Sequence, residues 1–187
     1  IKIGTWGRNI IYSAALMGFF WGQVRLGART QSERSWQKAS EVALGHSCDE
    51  ALPYYVSLKH RFKDNPYFLY NYAAVFTEAK EYEKALKVAL ECRKYWADYD
   101  LELLLGDIYR EKKDYKQAEE YYMSASYMCP SRFLPLYQLY ELYKCIGNTE
   151  KASELAKILL EKPAKVNSML IKRIKYQLKK ECELLIL

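Results

Sequence analysis

The residues of this chain suited to covalent chemistry are two histidines, five cysteines and a few adjacent acids. A catalytic histidine needs an acid to orient it, and a metal-bound one needs fellow ligands at chelating spacing. His46 follows Gly45 in an expected turn and His60 stands between Lys59 and Arg61, so neither has such a partner and both read as solvated surface residues. Cys48, Cys92, Cys129, Cys145 and Cys182 are scattered, odd in number and without a C-x-x-C pair, which reads as core filling rather than thiol exchange or metal binding. Glu119 and Glu120 are expected on the outer face of a helix as a solvated charge run. With no phosphate loop and no nucleophile elbow, the sequence predicts a non-covalent function, with no catalytic residues, no metal and no cofactor.

Non-covalent recognition has better material. The chain holds 18 tyrosines, is half apolar and carries a net charge of +6. From Lys157 onward eight basic residues face three acidic ones, so the body before that point is nearly neutral. A nucleic-acid groove needs a basic stripe across the folded body, and none is expected here.

The elements that position these residues follow from a period. Asp49-Glu50-Ala51-Leu52, Glu83-Lys84-Ala85-Leu86, Lys116-Gln117-Ala118-Glu119 and Glu150-Lys151-Ala152-Ser153 repeat one local pattern, their alanines 34, 33 and 34 residues apart. From Tyr99 the chain places Leu105-Gly106, Tyr109, Ala118, Tyr122, Ala125 and Pro130 where a tetratricopeptide (TPR) hairpin wants small residues between close helices, large ones along the seam and a proline to close. The copies starting near Pro66 and at Phe133 follow this frame with wear. Tyr140 takes a small-residue position, so that hairpin is expected to splay. The copy from Ser32, with Trp36, Ala39, Val42, Ala51, Tyr55 and Leu58, is the weakest. The chain thus resembles the TPR family, which implies an all-α, right-handed solenoid of about four hairpins, near 32–65, 66–98, 99–132 and 133–166, within a domain of 32–166. A capping helix is expected over 167–187, with Leu170, Ile174, Leu178 and Cys182 at four-residue spacing; its basic residues also suit an anionic lipid or polyanion.

Residues 1–28 stand outside the repeats. Asn9 to Val24 carries no charge and, at roughly 1.5 Å per residue, spans about 24 Å, with Arg8 and Arg25 placed to snorkel and Trp6 and Trp21 near two interfaces. Gly18 and Gly22 form a G-x-x-x-G pair. A membrane span is the leading expectation, against a helix packed under the first hairpin or an uncleaved signal-type segment. A chain starting at Ile1 reads as processed, trimmed or the tail of something longer.

In the TPR frame the first helix of each pair lines a concave groove, here with Tyr67, Tyr70, Thr77, Asp107, Arg110, Tyr137, Glu141 and Lys144. TPR proteins that clamp a terminal carboxylate use a Lys and an Asn, where this chain has Tyr70 and Ala74, Leu103 and Asp107, then Tyr137 and Glu141; carboxylate capture is disfavoured. Tyrosine plates suit an extended peptide or a sugar face, so the expected partner is a protein or peptide in the groove, with glycan contact as a further option. Beyond the repeat, Asn65-Pro66-Tyr67-Phe68-Leu69-Tyr70-Asn71-Tyr72-Ala73-Ala74, Asp98-Tyr99-Asp100, Ala125-Ser126-Tyr127-Met128-Cys129-Pro130-Ser131-Arg132-Phe133 and Leu160-Glu161-Lys162-Pro163 resemble the C-terminal repeat region of Bacteroidetes O-antigen ligase or polymerase-like membrane proteins. That resemblance, over roughly residues 30–180, implies a non-catalytic tail at the bacterial inner membrane, its side open, that recruits an assembly partner or steadies the glycan acceptor. An independent membrane-anchored adaptor is the alternative.

Overall fold

A computed structural model describes the backbone of residues 5–45, 48–163 and 168–184, and side chains from 16 to 181 within those ranges. His46 and the side chains of Trp6, Arg8 and Cys182 lie outside them. The described residues form helices joined by short turns, in two compact units, residues 1–63 and 64–187.

The first unit pairs α1 (Thr5–Leu44) with α2 (Cys48–Leu58). At 40 residues α1 is about 60 Å long and runs without a break from the apolar N-terminal segment into the first repeat. Its later part packs on α2 through buried Ala39, Ala51, Tyr55 and Leu58, with Trp36 against Phe62 at 5.3 Å and Ser40 Oγ 3.1 Å from the Tyr55 hydroxyl. Its earlier part leaves Leu16, Met17, Phe19, Phe20, Trp21, Val24 and Leu26 exposed. No described helix is long and apolar enough to cross a membrane.

The second unit stacks three hairpins, α3 (Pro66–Glu78) with α4 (Tyr82–Arg93), α5 (Tyr99–Glu111) with α6 (Tyr115–Met128), and α7 (Leu134–Cys145) with α8 (Thr149–Glu161), followed by α9 (Met169–Leu184). Polar caps start the helices: Asn65, Asp98, Asp114 and Asn148 each accept a bond from a backbone N–H of the following turn. One C-terminal motif ends α3, α5 and α7. Glu81 N–H bonds to Phe76 C=O, Asp114 to Tyr109 and Asn148 to Tyr143, with Lys80, Lys113 and Gly147 at φ of 60°, 63° and 75°. These are Schellman closures, in which one left-handed residue satisfies the last carbonyls. Only one of the three is glycine, and the lysines carry the steric cost of that conformation.

Alanines at the crossings, Ala73, Ala85, Ala118, Ala125 and Ala152, are buried and let the backbones approach. Gly106 allows a close crossing, since a Cβ there would lie 2.4 Å from the Tyr122 ring. Tyr140 is buried rather than expelled, its hydroxyl donating to Glu181 of α9, and α7 still packs on α8. Ile174 and Leu178 of α9 join the core of the last hairpins. Leu170, expected on the same apolar stripe, is 54% exposed, because the buried arc of α9 is narrower than four-residue spacing implies. The cysteines also differ from expectation. Cys92 alone of those described is buried, its thiol pushed up to about 11 by desolvation and held on Pro66 C=O, while Cys145 is exposed.

Candidate partner-binding groove

α3, α5 and α7 carry the candidate residues, and α3 and α5 are in contact. Near their C-terminal ends lies a hollow of about 280 Å³ into which Thr77, Asp107 and Arg110 converge, with Ala74, Glu78 and Glu111 beside them. Three of the eight sequence-derived residues are thus brought to one cavity. Thr77 spends its hydroxyl on Ala73 C=O at 2.9 Å, which leaves its methyl as the side chain's remaining contribution.

Asp107 is fixed from behind by the Tyr122 hydroxyl at 2.6 Å and faces Arg110 at 3.8 Å. Burial, opposed by those two groups and reinforced by Glu111 and Glu78, holds its carboxyl above the usual range. Arg110 reaches Glu111 at 3.3 Å and donates to Gln138 of α7 at 3.1 Å, so one guanidinium ties two repeats together. Lys144 is similarly committed, to Glu181 at 2.8 Å and Glu141 at 3.9 Å. Both cations of the predicted groove set therefore already face two carboxylates each. That pairing, together with the absence of the Lys and Asn pattern, leaves little charge for a terminal carboxylate.

The remaining candidates do not reach the hollow. Tyr67, exposed, and Tyr70, half-buried, pack on Trp96, with ring centroids 5.4 and 5.6 Å away. Burial, with Asp100, Asp107 and Asp98 adding to it, pushes the Tyr70 hydroxyl up to about 12, so it stays protonated and can donate. Tyr137 lies beside Tyr140 at 6.1 Å and is likewise pushed up to about 12, by burial and then by Glu141.

Trp96, Gln138 and Glu181 are the residues that sequence reasoning missed. Trp96 lies in the loop between hairpins, outside the repeat positions that define the groove, and an unexplained tryptophan in a linker was the available signal. Glu181 belongs to the capping helix, and no repeat register places it opposite Lys144. Glu119 corrects an expectation: it is 28% exposed rather than solvated, and takes bonds from Tyr143 at 2.5 Å and Lys151 at 3.0 Å. His60 is exposed, and the described residues contain no cluster of acids, histidines and cysteines suited to a metal.

No protein-family model matches this sequence, and no curated protein matches it. Solved structures do. A MamA double mutant (MamA RS-1 ArsTM) superposes with a TM-score of 0.60 over 67% of this chain and 71% of its own, at 19% identity. Another MamA crystal structure gives 0.60 over 67% and 69%, at 13% identity. A chain of the Naa15/Naa10 complex bound to HypK-THB gives 0.55 over 80% of this chain but 24% of its own, at 13% identity. At such identities the likeness speaks for the fold alone, and the fold is an all-α TPR-type solenoid.

Proposed function

We propose that the face formed by α3, α5 and α7 is a non-covalent docking groove and that the chain is an interaction scaffold for an extended polypeptide. The observation that carries this reading is the convergence of Thr77, Asp107 and Arg110 on one hollow between successive first helices. Peptides bind such a face by laying side chains into the gaps between repeats while rigid aromatic plates bury area at small entropic cost. Tyr67, Tyr70 and Trp96 supply the plates. The Naa15/Naa10 structure, a complex bound to HypK-THB, is an instance of this fold within an assembly.

The finer placement rests on sequence resemblance: the chain is the TPR tail of an O-antigen ligase-like membrane protein, tethered through its N-terminal segment and engaged in surface glycan assembly. The exposed apolar run from Leu16 to Leu26 supports the tether, since such a surface demands a cover. The clustered rings of Tyr67, Tyr70 and Trp96 favour a sugar face as a second ligand. An independent membrane-anchored adaptor is the competing account. Immunoblotting of source cells with an antibody to residues 32–187 separates them. A membrane band far heavier than the 22.0 kDa chain supports the ligase tail, and one near that mass supports the adaptor. A soluble band of that mass sinks both. For the groove, Tyr70→Ala with Tyr137→Ala should weaken partner capture with helix content intact, and unchanged capture moves the site elsewhere.

A further inference from the structure

The capping helix has a second face that the groove does not use. Ile174 and Leu178 point into the core with Ile171 beside them, which fixes the rotation of α9. At about 100° per residue, Lys179, Lys172, Tyr176, Met169, Lys180 and Arg173 then fall in one arc of roughly 120° on the side away from that core. All six are exposed, Tyr176 at 70% and Met169 at 79%.

Among the described residues their charges are not neutralised by an ion pair. The described structure places no carboxylate within ion-pair distance of Lys172, Arg173, Lys179 or Lys180, whereas the nearby acid Glu181 is held by Lys144 and Tyr140. Lys175, the remaining cation of this cluster, is not part of the arc. It donates to the Leu160 and Lys162 carbonyls, both at 2.8 Å, and so caps the C-terminus of α8. A shallow hollow lined by Arg173, Tyr176, Gln177, Lys180 and Glu181 opens on the same helix.

We infer that this outer face of α9 docks on an anionic lipid surface, its four exposed cations meeting headgroup phosphates while Met169 and Tyr176 enter the interface. Charge complementarity selects an anionic partner, and the exposed thioether and phenol among the cations select a bilayer over a bare polyanion. The contact is flat rather than embedded, because the apolar side of α9 is already taken by the core. It meets the groove only at its edge, where the Arg173 charge acts on Tyr137.

The test is co-sedimentation of the full chain with vesicles of phosphatidylcholine alone and of phosphatidylcholine with phosphatidylglycerol. The expected result is a preference for the anionic vesicles that weakens with salt and drops about fivefold for each cation replaced in Lys172→Gln, Arg173→Gln, Lys179→Gln and Lys180→Gln. Residual binding to neutral vesicles reports the N-terminal segment and should not change, and an unshifted melting curve verifies that the exposed substitutions leave the fold intact. Equal binding to both vesicle types, an unaffected fourfold variant, or stronger binding to an RNA oligonucleotide than to anionic vesicles would each overturn the assignment. The groove keeps its own readout, partner capture by Tyr70→Ala with Tyr137→Ala, and Lys172→Gln, Lys179→Gln and Lys180→Gln test the lipid contact without touching Arg173, the cation that acts on Tyr137.

Discussion

A methyl group at position 106 would sit 2.4 to 2.5 Å from the ring of Tyr122, and that ring cannot retreat because its hydroxyl is anchored on Asp107. Gly106→Ala gains about 1 kcal/mol of helix propensity but overpacks a close crossing at a typical cost of about 2 kcal/mol, so a net loss of about 1 kcal/mol is expected in denaturant melts. Glu102 poses the opposite problem. It is 2% exposed, yet its carboxylate is held by both arms of Arg93, at 2.8 and 3.2 Å. Arg93→Ala strands that carboxylate and is expected to cost about 3 kcal/mol, while Arg93→Lys, lacking the fork, should fall between. If chemical denaturation found Arg93→Ala neutral, the pair would be a surface contact only. Glu102 also marks a limit of reading sequence, because only the neighbouring helix reveals how a carboxylate is accommodated at so buried a position.

For the elements, the repeat period carried most of the information. Ala85, Ala118 and Ala152 predict where α4, α6 and α8 cross their partners, because two helices approach closely only where Cβ is small. The turns were less legible. Lys80 and Lys113 adopt the left-handed conformation of Gly147 without being glycine, so the Schellman geometry is imposed by the bonds around it rather than signalled by residue type. In the first unit, Pro53 sits inside α2 on its exposed side, where it removes a backbone donor and crowds the preceding turn. Pro53→Ala should stabilise α2 by about 1 to 3 kcal/mol, read as slower amide exchange from Tyr54 to Leu58. No gain there would mean that the helix bends around the ring without strain.

Across the molecule, ionisable ties differ in sign from end to end. The Tyr143 hydroxyl bond and then Lys151 hold Glu119 below the usual carboxylate range against the opposing effect of burial. Burial also opposes ionisation of Glu181, but the bonds from Lys144 and Tyr140 outweigh it and hold the carboxyl below the usual carboxylate range. Carboxyls depressed in the folded state stabilise it above their unfolded value and lose that contribution as pH falls through the folded one. Asp107 is raised, so its charge opposes folding at neutral pH and its protonation relieves that opposition. Acidification from about pH 6 to pH 3 should therefore reduce amide protection in α9 before α5, after correction for intrinsic exchange, and the reverse order would contradict these directions. The sequence by itself determined the repeat period, the helical class and the helix faces that meet, because each follows from spacing along one chain. Only the tertiary structure decided which groove residues converge: Tyr67 and Tyr70 turn to Trp96, Arg110 bridges to Gln138 and Lys144 is claimed by Glu181. Those pairings join residues from different helices and loops, and their distances are set by how the hairpins stack, a quantity that no local pattern contains.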